Sequence, residues 1–357
     1  MSARRLAIIG TRGHYATLLN ELLQMSDVEL CAAAHGGSGD TIAPVLAWAA
    51  EHGQTVRDFG PSWREMLDQT APDSLIVCGP LERHAEMTCE AIERGIHVMV
   101  EKPIALTFEQ LTQIRAACAR NPRVHVATMM FSRYTPGFYT AARLVHDGAI
   151  GDVRLIEARK SYKLGRRGGH YLRRETYGGT ILWVGSHAID WVAWLSGQRF
   201  RSVFASHTTA HNDNHGQLER SALCHFTLDN NCFASVAIDM FRPLTAPTHG
   251  DDWARVVGTT GVLEVRPDRV DLILTDTTGS SPISVKSPPR RPLRDFVDHL
   301  NGVTQALLDV DGTLHLADAC LRALQSADDG RVVRFGTPDM QATLGPAATR
   351  DRVGAAR

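Results

Sequence analysis

The sequence predicts an α/β chain in two parts: a doubly wound parallel sheet, then an α+β region carrying a large open, mainly antiparallel sheet. Three observations predict it. Through the first 130 residues, short apolar runs alternate with amphipathic stretches, the β-α-β rhythm of a parallel sheet with right-handed crossovers. The rhythm then gives way to strands of alternating pattern joined by glycine and asparagine turns. The length, 357 residues, exceeds what one hydrophobic core usually spans. The expected division is 1–128 for the parallel-sheet domain and 129–337 for an α+β domain. An Ala-, Gly-, Pro- and Arg-rich tail, 338–357, is expected to be flexible.

In order, LAIIG (6–10) is an apolar run stopped by glycine, and HYATLLNELLQM after it has leucines at helical spacing. VELCAAA (28–34), SLIVCGP (74–80), IHVMVEKP (96–103) and VHVATMM (124–130) read as further buried strands. Between them TIAPVLAWAAEHG, WREMLDQ, HAEMTCEAIERG and FEQLTQIRAACARN read as helices, two closed by glycine. Past residue 130, GFYTAARLVHDGAIG is a helix. DVRLIEARKSY, SVFASHTTA, ALCHFTLDN, CFASVAIDMF, ARVVGTTGVLEV and VDLILTD are strands, with turns at DNN (229–231) and GTTG (258–261). PPRRP (288–292) links to a final helical region, and there is no internal repeat.

Bulk properties narrow the function. A formal net charge of −1 argues against nucleic acid as the main partner. No apolar run approaches the roughly 20 residues of a membrane span, and the early run LAII is too short for a signal peptide. Seven dispersed cysteines without a CxxC pair suit buried thiols in a reducing cytoplasm. The sixteen histidines are scattered. HNDNH (211–215) reads as a polar loop and THGDDW (248–253) as sheet-interface residues, so no metal is expected.

Three stretches carry chemistry. GTRGHY follows a strand and opens a helix, the setting of a Rossmann dinucleotide loop. Gly10, Thr11, Arg12, Gly13 and His14 would line it, with the helix N-terminus facing pyrophosphate. Arg12 and Tyr15 stand where the pattern GxGxxG has its second and third glycines. The second strand ends in His35 rather than the ribose-binding acid. With Arg12 this tilts the expected cofactor, NAD(P)(H), toward NADP(H), while Asp40 nearby pulls back toward NAD. EKP (101–103) closes a parallel strand, where such sheets place ligands. Lys102 there can hold a hydroxyl and help a proton move, and the peptide before Pro103 is a candidate for cis. In GGTILWVGSHAID (178–190), His187 is a candidate acid/base. Asp190, one helical turn on, would orient its ring or cap the helix.

These features, in this order, resemble the glucose–fructose oxidoreductase / inositol dehydrogenase (Gfo/Idh/MocA) family. The resemblance covers roughly residues 5 to 335. It rests on the glycine loop, CGPLERHAEMTCEAIERGIHVMVEKP (78–103), FSRYTPGFYTAARLVHDGAIGDVRLI (131–156), GG…GSHAID and VVGTTGVLEV (256–265). It implies a nicotinamide cofactor lined also by Pro80, His84 and Glu101, and a relay of Lys102 and His187 at a ring carbon of a sugar, cyclitol or related polyol. Arg133 and Asp190 are expected at the substrate. One departure is plain: where the family's second motif has Asp four residues before His, this chain has Trp183. Indole has one N–H and accepts no proton, so Trp183 is expected to shape the pocket by stacking on the sugar.

The stretch 159–177 holds Arg159, Lys160, Lys163, Arg166, Arg167, Arg173 and Arg174 against Glu175 alone. The resemblance implies that 129–337 binds substrate and forms oligomers and that this stretch lies near the substrate mouth, where its positive field would suit an anionic sugar, with Lys160 and Tyr162 at the substrate and His170 and Tyr171 near it. The first reading is therefore a cytoplasmic NAD(P)-dependent oxidoreductase, a homodimer or homotetramer. The alternatives are a lyase or epimerase that recycles a tightly held NAD(H), and a non-catalytic nucleotide-binding sensor.

Overall fold

Parallel pairing follows from the all-apolar runs, which can only be buried on both faces. Six strands form the first sheet: β1 (Arg4–Ile9), β2 (Val28–Ala34), β3 (Arg57–Asp58), β4 (Ser74–Val77), β5 (His97–Val100) and β6 (Val126–Thr128). Their order is β3-β2-β1-β4-β5-β6, every pair parallel. The computed structural model describes residues 3–37, 39–276 and 279–336; the expected tail 338–357 lies outside them. Two strands stop earlier than their apolar runs suggest, at Val77 and Val100. Residues 78–80 and 101–103 are thereby released as loops along one edge of the sheet. The strand order reverses between β1 and β4, which opens a crevice at that edge.

Helices α1 (Tyr15–Leu22), α2 (Ala43–Glu51), α3 (Trp63–Thr70), α4 (His84–Glu93) and α5 (Phe108–Arg120) flank the sheet. Thr107 caps α5 by accepting the N–H of Gln110. The chain then passes through α6 (Pro136–His146) into a nine-stranded sheet. Its strands are β7 (Val153–Tyr162), β8 (Phe200–Thr208), β9 (Ser221–Leu228), β10 (Phe233–Asp239), β11 (Gly250–Gly258), β12 (Gly261–Arg266), β13 (Arg269–Leu274), β14 (Ser281–Ile283) and β15 (Val333–Arg334). The order is β14-β13-β12-β11-β7-β10-β9-β8-β15. All pairs are antiparallel except β7–β10. That exception arises because β7 is left not by a hairpin but by a helical excursion: α7 (Arg174–Tyr177), α8 (Thr180–Trp183) and α9 (Gly185–Ser196).

The last two helices tie the sheets together. In α10 (Pro292–Leu300), Leu293, Phe296 and Val297 are buried with Leu18, Leu19 and Leu22 of α1, so the chain after PPRRP returns to the first sheet. Each such side chain contributes roughly 1.5–3 kcal/mol by leaving water. In α11 (Val310–Asp329), Thr313 Oγ1 accepts the N–H of Thr128 and Ser326 Oγ that of Ala205, one contact to each sheet.

Candidate active site at the edge of the parallel sheet

The glycine loop is a cradle that side chains would fill. Gly10 has φ +78°, and a Cβ there would lie 2.5 Å from the Cys78 carbonyl oxygen. Gly13 has φ +71°, and its Cβ would lie 2.5 Å from Glu101 Oε1. Only glycine fits either place. Arg12 donates its N–H to the Cys78 carbonyl at 2.7 Å. Its buried Nη1 has no partner among the described residues. Thr11 Oγ1 donates to the Thr41 carbonyl at 2.6 Å, and His14 Nδ1 lies 2.8 Å from Glu101 Oε1. A loop that excludes side chains, opens a helix and presents an unmatched guanidinium fits a dinucleotide pyrophosphate.

At the ribose end, His35 donates its N–H to the Gly60 carbonyl at 2.9 Å, and its buried Nδ1 has no partner among the described residues. Asp40 Oδ2 accepts the Gly36 N–H at 2.7 Å and lies against Gly10. Pro80 packs against Gly36, where an added Cβ would meet it at 2.7 Å. His84, expected at the cofactor, is instead a brace. It is fully buried, with Nδ1 2.9 Å from the Pro103 carbonyl and Nε2 3.1 Å from that of Gly79. Burial holds its pKa below the ordinary imidazole value.

The EKP loop sits at the crevice, with the Lys102–Pro103 peptide cis. Lys102 is 6% exposed, and Nζ donates to the Trp183 carbonyl at 3.0 Å. Burial lowers its pKa to about 8; Glu101 opposes the shift, and Lys160 and Arg167 add to it. An amine that titrates near neutrality can take and return a proton.

His187, on α9, is buried and held well below the ordinary histidine pKa, first by burial and then by Lys160 and Lys102. Its ring faces Ser132, not Asp190: Ser132 Oγ lies 3.4 Å from His187 Nδ1. Trp191 Nε1 donates to the same Oγ at 2.9 Å, so Ser132 links the indole to the ring of His187. The expectation that Asp190 orients His187 or meets substrate is corrected. Asp190 is 1% exposed and takes two hydrogen bonds from Arg133, at 2.9 and 2.6 Å. Arg133 donates also to the Leu307 carbonyl. Both are spent on each other, so the expected place of Arg133 at the substrate is corrected with it. Helical spacing put His187 and Asp190 on one face; it could not show which neighbour claims each.

Trp183 is buried in an aromatic cluster, its ring 4.2 Å from that of Tyr171 and 6.5 Å from that of Tyr177. Arg167 lies 4.9 Å above the indole and Lys102 Nζ 5.5 Å from it. Three of the seven basic residues in the stretch around it are paired with acids distant in sequence. Arg159 pairs with Asp251 at 2.7 Å, Lys160 with Asp252 at 2.5 Å, and Arg174 with Glu219 and Asp328. Tyr162 lies beside Lys160, its ring 4.9 Å from that of His249 and tilted against it by 38°. Arg12, Lys102 and Arg167 have no carboxylate within 4 Å among the described residues. Ser132 is the site residue that sequence reasoning did not single out; Arg167 was read within the basic run 159–177 and Asp252 as a sheet-interface residue. Ser132 was signalled only by its place beside Arg133.

Residues 4–128 match the oxidoreductase family model with an NAD-binding Rossmann fold, and residues 138–264 match the GFO/IDH/MocA C-terminal domain. The chain belongs to the Gfo/Idh/MocA oxidoreductase family. A solved structure from Thermotoga maritima, assigned as an oxidoreductase, is 39% identical with a TM-score of 0.87, over 93% of this chain and 100% of its own. Among curated relatives, an uncharacterised oxidoreductase of Synechocystis is 26% identical over 218 residues, 58% of each chain. D-glucoside 3-dehydrogenase of Escherichia coli is 31% identical over 134 residues, 37% of this chain and 38% of its own. This Gfo/Idh/MocA chain is thus an NAD-binding oxidoreductase by family.

Proposed function

We propose that this protein is a dehydrogenase or reductase acting on a CH–OH group in the ring of a sugar, cyclitol or sugar acid, with Lys102 as the proton carrier. One observation carries the reading: Lys102 is a buried amine titrating at about 8, at the crevice edge, beside the neutral His187. In the oxidation direction neutral Lys102 takes the hydroxyl proton while the carbon loses hydride, and the carbinol becomes a carbonyl. The neutral His187 ring meets the same oxygen through Nε2. Gly10, Arg12 and Gly13 would hold the pyrophosphate of the dinucleotide and Asp40 its ribose, and the nicotinamide would supply the hydride acceptor.

Asp40 favours NAD(H) over NADP(H), since a carboxylate there repels a 2′-phosphate. Arg167, lacking a carboxylate partner, favours an anionic sugar. The open sheet leaves Leu155, Phe204, Leu223 and Phe233 exposed on one face, which suits a homodimer or homotetramer. Seven free cysteines suit a reducing cytoplasm, and among the described residues no helix is long and apolar enough to cross a membrane. The test is a screen of aldoses, uronates and cyclitols with NAD+ and NADP+, following absorbance of the reduced cofactor. Turnover with one polyol class supports the reading. Absence of turnover, with no binding of NADH, overturns it.

A further inference from the structure

The residue at position 183 leaves a gap in the site's hydrogen-bonding. Trp183 cannot accept from a hydroxyl. Lys102 Nζ donates to the backbone carbonyl of residue 183, a contact that any side chain there leaves in place, with the indole 5.5 Å away. The acceptor that the side chain no longer provides must come from elsewhere if a polyol is to be oriented.

The second sheet offers one. Strands β7 and β11 pair so that Lys160 stands directly opposite Asp252, on the same face of the sheet. Lys160 is 4% exposed, and Nζ meets Asp252 Oδ2 at 2.5 Å. Nζ also lies 5.2 Å from the Trp191 ring, whose Nε1 holds Ser132 beside His187. The charge of Lys160 depresses both Lys102 and His187, which places it close to the two groups that handle the substrate oxygen. The other carboxylate oxygen, Asp252 Oδ1, is buried and accepts no hydrogen bond among the described residues. A buried carboxylate oxygen without a donor is costly unless a ligand completes it.

We propose that Asp252, held by Lys160, is the relocated acid of this site: Oδ1 accepts a hydrogen bond from a substrate hydroxyl next to the reacting carbon, and Lys160 fixes the carboxylate that does so. This rests on the polyol-oxidoreductase reading. The pair takes no proton and no hydride. The hydroxyl proton goes to Lys102 as described, and Asp252 sets which neighbouring hydroxyl the substrate must carry.

The test is a titration of the NADH-loaded protein with D-glucose, D-glucuronate, D-glucose 6-phosphate and myo-inositol, by calorimetry. Wild type is compared with Asp252→Asn and with the double variant Lys160→Met/Asp252→Leu, which removes the pair without stranding a charge. Expected are unchanged NADH affinity in all three and polyol binding at least tenfold weaker in both variants. In turnover, KM rises more than kcat falls, and Asp252→Glu recovers part of the loss. Polyol affinity unchanged in the double variant overturns the proposal, as does loss of NADH and polyol affinity in step. A wild-type protein that binds NADH and none of the four polyols overturns the parent reading and this one together.

Discussion

Two sets of buried charges lie within a few residues of each other and are built in opposite ways. Arg133 adjoins Ser132, and Asp190 lies one turn from His187, yet this pair is satisfied on every side. It has two hydrogen bonds between guanidinium and carboxylate, a third to the Leu307 carbonyl, and the Trp194 ring 5.1 Å from the guanidinium. Across Ser132, Lys102 has one carbonyl at 3.0 Å and no carboxylate, while Arg12 Nη1 and Asp252 Oδ1 have nothing. The difference teaches how to tell structure from function here. Arg133 and Asp190, which hold the fold, are matched to completion. Charges kept for a ligand retain open valences and weaken the empty protein.

Breaking the open set should have the largest effect. Lys102→Met is expected to lower turnover about 10³-fold, with NADH affinity kept. A loss under tenfold in steady-state kinetics would remove Lys102 from the proton step. Breaking the closed set comes next. Arg133→Met strands Asp190 in the interior and should destabilise the fold by about 3–5 kcal/mol, most of it recovered in Arg133→Met/Asp190→Leu. Urea melts of both variants decide this, and a single variant as stable as wild type contradicts a structural clamp.

The comparison is sharpened by pH. Below about 8 Lys102 is charged and cannot take a proton, so kcat/KM for oxidation should rise with pH to a plateau with an apparent pKa near 8. A profile still rising at pH 10 would mean an unperturbed lysine. The smallest effect concerns a third buried charge, remote from the site. Glu21 accepts the Leu293 N–H at 2.8 Å, and burial raises its pKa to about 7. The folded carboxyl keeps its proton up to about pH 7 while the unfolded one loses it near 4.5. Stability from this group is therefore present below 4.5 and lost as pH rises through 7. Glu21→Gln should raise the melting temperature by a few degrees at pH 8 and leave it unchanged at pH 5. Equal shifts at both values would rule out titration as the cause.

Much of this was legible in the sequence. Apolar runs punctuated by glycine gave the strand and helix order, and motif order gave the family. The loop glycines and Lys102 were marked by their place after strands. What stayed hidden depends on contacts across the chain. His84 looked like a cofactor residue, but its ring lies between the Pro103 and Gly79 carbonyls, with its one N–H to bond either of them. The run 159–177 looked strongly positive because its counter-charges, Asp251, Asp252, Glu219 and Asp328, lie on other strands and helices. The partner of Lys160 is set by the β7–β11 register, which no local pattern encodes.

The most direct test of the central claim is the melting temperature of Lys102→Met against wild type at pH 7, without cofactor. The folded-state pKa of Lys102 lies below its unfolded value, so the destabilisation is fully present below pH 8 and disappears as pH rises toward 10.5. Its size is about 3 kcal/mol at pH 7. The account predicts that the inactive variant melts several degrees above wild type. A variant that melts at or below wild type would mean that Lys102 is matched like Arg133, and the distinction between the two sets of charges would fall.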